Sequence, residues 1–233
     1  MQPQRPTVAT HAGTVSRGWI EIETGTEFDR YDDQSHGGLA PILAKIGLAP
    51  RIQLELQAPV VWAPGPGGSG VGDFSVGVKF RIVEDASVVG DFAVLPSIKM
   101  PTGSSDLDTG TGTTDFGVLF ISSHALGPVA MDLNFGYTRR SGDGTQVPQN
   151  ATLWAASFGG PARGPVGWVA EVYGYPATSG PAGDDSIVAF LVGPTIRLQR
   201  WLVADVGVIV PITGPQPRAF YAGVTYNAGR LWK

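Results

Sequence analysis

The chain has 233 residues, 42% of them hydrophobic, with 33 glycines, 19 prolines, no cysteine and a formal net charge of −4. No run approaches the roughly 20 apolar residues of a membrane-spanning helix, and the acidic balance speaks against nucleic acid as a partner. The absence of thiols removes cysteine catalysis, Cys-based zinc sites and disulfides.

Residues 1–16 are polar and aperiodic, and read as a tail ahead of a single domain over 17–233. The first six residues hold no apolar core of a secretory leader, so an exported chain is expected here in processed or designed form. A first strand, about 18–29, alternates Ile20, Ile22 and Phe28 with Glu21, Glu23 and Glu27. A second, about 39–48, sets Ile42, Ala44 and Ile46 against Lys45. The clearest pattern follows over 51–82, where Ile52, Leu54 and Leu56 oppose Arg51, Gln53, Glu55 and Gln57. After a Gly/Pro-rich loop, Phe74, Val76, Val78, Phe80 and Ile82 oppose Asp73, Ser75, Gly77, Lys79 and Arg81. A period of two marks a strand with one apolar face. Soluble strands average about five or six residues, whereas a tilted strand needs roughly nine to eleven to cross a bilayer.

The remaining strands are expected at about 88–100, 115–123, 129–140, 151–158, 168–175, 187–198, 202–212 and 219–232. Alanines on both sides leave the faces of 151–158 open. Connections alternate long and short, the long ones rich in Gly, Pro, Asp, Ser and Thr. The predicted fold is therefore an all-β, twelve-stranded antiparallel transmembrane β-barrel with short periplasmic turns and longer extracellular loops, placed in a bacterial outer membrane. Trp19, Trp168, Trp201 and Trp232 fall at periplasmic strand ends and Trp62 near an outer end, as interfacial girdles require. A soluble β-sandwich or lipocalin-like barrel would have to turn the charged faces outward and bury the apolar ones.

The stretches GVGDFSVGVKFRI, LPSIKMPTGSSDLDTGTGTTDFGVLFISSHALG and MDLNFGYTRR carry a resemblance. Gly70 to Asp73, Pro101 to Gly103 with Gly110 and Gly112, and Asn134 to Tyr137 resemble the motifs of the outer-membrane transporter family named for the meta-pathway of phenol degradation. The match is good over about 40–140 and loose elsewhere. It implies a barrel that passes small, often aromatic or apolar, molecules.

Alternating strand direction gathers Glu21, Glu23, Lys45, Arg51, Lys79, Arg81, Asp91, Asp132, Glu171, Arg197 and Asp205 in the periplasmic half of the lumen. Cross-strand pairs are expected between Glu55 and Lys79, between Lys79 and Asp91, and for Arg197 between Glu171 and Asp205. Such a network either plugs the barrel or tunes passage. In the outer half, Tyr173, Tyr175, Ile187, Leu191 and Ile209 point inward, an apolar lining that suits a small apolar or aromatic solute or packs beneath folded-in loops. The acids Asp29, Asp32, Asp33, Asp106, Asp108, Asp184 and Asp185 are expected in outer loops as a solvated surface, with divalent bridging to lipopolysaccharide as a use. Asp106 and Asp108 lack the downstream Glu of a calcium loop, so no metal and no cofactor is expected.

A Ser/His hydrolase would need an orienting third group, and the three histidines offer only Ser122, Ser123 and His124 at a turn. The chain is therefore expected to be a passive pore for small solutes rather than an enzyme, surrounded by outer-membrane lipid and lipopolysaccharide. The alternative is a plugged structural or adhesion barrel.

Overall fold

The computed structural model describes residues 3–142, 148–179 and 185–232. Among these residues fifteen antiparallel strand segments form one sheet: β1 (Trp19–Arg30), β2 (His36–Ala40), β3 (Ile42–Ala49), β4 (Ile52–Gln57), β5 (Val60–Trp62), β6 (Ser69–Val71), β7 (Phe74–Ala86), β8 (Gly90–Met100), β9 (Asp115–Leu126), β10 (Val129–Arg140), β11 (Asn150–Arg163), β12 (Val166–Tyr175), β13 (Ile187–Gln199), β14 (Leu202–Thr213) and β15 (Arg218–Arg230). Pairing of β15 with β1 closes the sheet on itself.

Three breaks reduce fifteen segments to twelve staves. Pro41 parts β2 from β3, residues 58–59 part β4 from β5, and residues 72–73 part β6 from β7. Proline has no N–H for the ladder, which explains the first two breaks. The staves nonetheless continue across them, since Ile42 and Ala58 exchange backbone hydrogen bonds of 3.2 and 3.0 Å. Closure then pairs every stave with a neighbour on both sides among the described residues, the short rim segment β6 pairing with β5 alone.

Five tight turns lie at one end, including Pro50-Arg51, Gly127-Pro128 and Gly164-Pro165, and the longer connections lie at the other. Two of the expected long loops, 141–150 and 176–186, fall partly outside the described residues. Packing excludes the soluble alternatives. Phe28, Phe116 and Ile212 on the outer face are 55%, 59% and 61% exposed, while Lys45, Lys79 and Gln53 on the inner face are wholly buried. A water-soluble fold would invert this; a lipid-facing barrel requires it. Trp19, Trp168, Trp201 and Trp232 are all partly exposed at the turn end. Trp62 packs on Phe28 at the other end, ring centres 5.9 Å apart.

Candidate functional site

The N-terminal segment runs inside the barrel. Its backbone N–H groups, which no ladder satisfies, are taken up by inward side chains. Gln4 and Arg5 N–H donate to the two oxygens of Glu23 on β1, at 2.7 and 3.1 Å. The Arg5 guanidinium reaches Asp205 on β14 at 3.2 Å. Val8 and Ala9 N–H donate to the two oxygens of Glu171 on β12, at 2.8 and 2.6 Å. Thr10 exchanges two hydrogen bonds with the Asn134 amide on β10, Ala12 N–H donates to Ser123 Oγ on β9, and Val15 N–H to Gln53 Oε1 on β4. Arg17 then bridges Gly47 on β3. Followed around the closed sheet, these staves come in order, so the segment makes one circuit of the inner wall and re-enters it as β1.

Inward glycines make this possible. A side chain at Gly25 would lie 2.7 Å from Arg5 Nη2, and one at Gly47 would meet the carbonyls of Val15 and Ser16. Small residues here leave room for a second layer of chain against the wall.

The charge network is partly as expected. Lys45 lies between Glu21 and Glu23 at 3.3 and 2.6 Å, and Lys79 faces Glu55 at 3.4 Å. Lys79 does not pair with Asp91. It donates instead to Thr10 Oγ1 and His11 O of the tail, both at 3.0 Å. Asp91 sits near Arg81 at 3.8 Å, while Lys79 falls between the Gly77–Ser97 and Phe80–Val94 pairs and so opposite Leu95, four residues along β8 from Asp91. Arg197 does not bridge Glu171 and Asp205. Glu171 lies opposite Leu191, six residues along β13 from Arg197, or about 20 Å at strand rise; Arg197 lies opposite Val203 and is exposed. The tail occupies both carboxylates instead. Arg51 also leaves the lumen: it sits in a turn with φ 66° and pairs with Glu84 at 3.0 Å. Asp29 is not a loop acid but faces inward from β1, 8% exposed. Asp184 lies outside the described residues.

The predicted apolar lining is inward and buried, but the tail covers part of it. Tyr173, Leu191 and Ile209 form one cluster with Ala9, and Val8 and Tyr175 pack against it. Ile187 is buried opposite Tyr175 in the β12–β13 register. Of the five, Tyr175 also borders an outer cavity of about 280 Å³, whose other walls include Leu95, Leu119, Leu153, Gly136 and Arg140. A second cavity of about 630 Å³ opens on the turn side of the tail, bordered by Arg5, Thr7, Asp132, Ser157 and Arg197. Leu95, Leu119 and Leu153 were not anticipated. The available signal was apolar residues at lumen positions of strands whose outer face is also apolar. The tail-gripping Asn134 and Gln53 stood out as a motif residue and a lumen-facing amide, but nothing in the sequence pointed them, or Ser123, at the tail.

Two of the three sequence motifs, Gly70 to Asp73 and the loop from Pro101 to Gly112, converge on one carboxylate at the extracellular rim, while the third places Asn134 on the tail. Asp73, in the break before β7, accepts from Gly103 N (3.1 Å), Thr111 N (3.0 Å) and Lys99 Nζ (2.7 Å). Phe74 N donates to Thr102 Oγ1, which in turn donates to Gly72 O. A side chain at Gly110 would lie 2.5 Å from Asp73 Oδ1. These contacts tie the loop 101–114 down onto the rim. Burial alone would raise the Asp73 carboxyl, but the Lys99 ammonium and the two backbone N–H groups more than offset it and hold it below its ordinary value.

Ser122 Oγ donates to Val89 O at 2.7 Å and lies 2.9 Å from His124 Nε2. Ser123, on the opposite face, donates to Asp132 at 2.5 Å. Among the described residues no group of three or more metal-ligating side chains converges.

The family model described as "Putative MetA-pathway of phenol degradation" matches residues 4–211. The chain belongs to this family. The matched range takes in the lumenal tail from Gln4 onward and the Asp73 latch. Among solved structures, an outer membrane channel from Pseudomonas putida F1 is similar, with a TM-score of 0.70 at 12% identity, covering 93% of this chain and 97% of that one. The KdgM porin in complex with disordered oligogalacturonate gives 0.61 at 13% identity over 88% and 98%, and the NanC porin 0.58 at 9% over 89% and 98%. At these identities the likeness is one of fold, that of bacterial outer-membrane barrels. A comparison with the sequences of curated proteins found no match.

Proposed function

We propose that this family member is a passive, non-catalytic outer-membrane pore for small apolar or aromatic solutes, constricted by its own N-terminal segment. The observation that carries the reading is the position of that segment. It separates an outer cavity of about 280 Å³ with leucine walls from a cavity of about 630 Å³ of mixed lining that faces the turns. The outer one is close to the roughly 300 Å³ at which small-ligand sites begin. Solute selection would belong first to Tyr175 with Leu95, Leu119 and Leu153 around the outer cavity; Tyr173, Ile187, Leu191 and Ile209, buried with the segment in place, would join the lining on its release. The charges Glu55, Lys79, Glu171 and Asp205 hold the constriction rather than contact solute. The similar channel and porins support a pore on this fold. The Ser122 hydroxyl is committed to a backbone carbonyl, which suits a chain without hydrolytic chemistry.

A second reading is favoured by the cluster that joins Ala9 to Tyr173, Leu191 and Ile209: a barrel closed for good by its tail, with structural or adhesive use. Single-channel recording of the refolded protein, with and without small aromatic solutes, separates the two. Steady conductance blocked by those solutes, with the block weakened in Leu119→Ala and Tyr175→Ala, supports the pore. Silence from inserted protein, persisting after removal of residues 3–16, would leave only the structural barrel.

A further inference from the structure

The outer face of β1 and β15 carries an unusual row at its extracellular end. In register, His36 of β2, Arg30 of β1 and Arg218 of β15 lie side by side. Asp29 and Ala219, the neighbours of the two arginines, face the lumen and are buried, so alternation turns Arg30 and Arg218 to the lipid side. Both are exposed. One step below, on the same face, Phe28 and Phe220 stand opposite each other, 55% and 50% exposed, with Trp62 against Phe28. Cationic groups just above an aromatic girdle stand at headgroup level, with the rings at the top of the acyl chains.

Like charges directly opposite one another across a strand pair are destabilising. Neither arginine is ion-paired among the described residues. The loop above is shaped around them. Tyr31 N–H donates to Ser35 O, Gln34 N–H to Tyr31 O, and Gln34 adopts φ 68° so that its Oε1 accepts from Arg30 Nη2 at 2.6 Å. The result is a cavity of about 180 Å³ bordered by Arg30, Arg218, Gln34, Tyr31 and Asp32. Two guanidinium groups against one carboxylate leave it net positive, and the nearby Asp33 is turned away onto Ser35 N–H at 2.8 Å. Arginine pairs suit phosphate oxygens, which accept two N–H groups in parallel.

We propose that Arg30 and Arg218, with Gln34, form a docking site on the lipid-facing wall for the phosphate of a lipid A headgroup in the outer leaflet. The phosphate relieves the opposed arginine charges, and its acyl chains run down over Phe28 and Phe220. The site therefore commits to a membrane lipid rather than free phosphate.

The test is lipid retention by the full-length protein in detergent, read by native mass spectrometry over a titration with bisphosphorylated lipid A. The comparison is R30Q/R218Q, with R163Q/R200Q at the turn end as the control pair. Loss of two charge-assisted contacts is expected to weaken lipid A retention by roughly tenfold or more in R30Q/R218Q, and to leave the control pair unchanged. Wild-type retention should fall similarly for dephosphorylated lipid A. Equal retention by R30Q/R218Q, or of the dephosphorylated lipid, would overturn the site. Displacement of lipid A by millimolar inorganic phosphate alone would overturn its assignment to a lipid. Unchanged heat-modifiable migration of both variants on gels would verify that they fold.

Discussion

Replacing Glu171 by alanine tests whether side-chain grips hold the lumenal segment. The carboxylate is 1% exposed and accepts Val8 and Ala9 N–H at 2.8 and 2.6 Å. Hydrogen bonds to a charged acceptor contribute about 1.5–3 kcal/mol each, and a buried donor left without a partner costs a comparable amount. The turn-side cavity lets the freed backbone reach water, which places the combined loss at the lower end, about 2–4 kcal/mol. At 1.4 kcal/mol per tenfold, the docked-to-released ratio of the segment falls by roughly thirty- to eight-hundred-fold. Glu171→Gln keeps one carbonyl acceptor and should lose about half of that free energy. Two measurements on the same protein check it: open probability in planar bilayers, bounded above by removal of residues 3–16, and hydrogen exchange at Val8 and Ala9. Both should rise in the order wild type, Gln, Ala. If Glu171→Ala leaves both at wild-type levels, the carboxylate does not hold the segment and the argument fails.

Val78→Arg places a charge on the lipid face and should cost roughly 2–4 kcal/mol near the midplane, while Ser75→Arg, on the lumen face, should be far milder; equal urea midpoints for refolding into vesicles would contradict the membrane orientation. Lys45→Met strips the cation from between Glu21 and Glu23 and should cost about 3–5 kcal/mol, as breaking a buried ion pair does, with part of the loss recovered when Glu21→Gln is added; a loss under about 1 kcal/mol would mean that the pair behaves like a surface bridge. Asp73→Asn should free the loop 101–114 to proteolysis at neutral pH. Because the Asp73 carboxyl is depressed in the folded protein, its contribution is fully present above the ordinary value of 3.8 and is lost as pH falls below it, so the wild-type loop should resist protease at pH 5–8 and yield only in stronger acid. Uniform resistance down to pH 2 would remove Asp73 from that role.

Alternation is a local property. The period of two in 52–57 and 74–82 could be read without any partner strand, and so could the long and short connections, the even number of staves and the Trp girdle. Register is not local. The offset of β7 on β8 sets Lys79 opposite Leu95, four residues from Asp91, and the offset of β12 on β13 puts Glu171 far from Arg197. One extra residue in a strand changes every cross-strand neighbour beyond it, and no side chain announces it. The first two family motifs were visible as glycines and an aspartate, but their common purpose was not, because Asp73, Gly103 and Thr111 meet only when the loop folds back.

The lumenal segment marks the boundary most sharply. Residues 3–16 have no periodicity, and their partners on the wall are as far as 163 positions away, reached through backbone N–H groups that every sequence possesses. The amino-acid order alone determined a twelve-stranded barrel with an apolar outside and a charged inside, because lipid and water sort alternate residues one strand at a time. Only the closed tertiary structure decided what those inward charges face. Glu23, Glu171 and Gln53 hold the chain's own N-terminal segment, since closure brings the far sides of the barrel within hydrogen-bonding reach of the one stretch that has no ladder of its own.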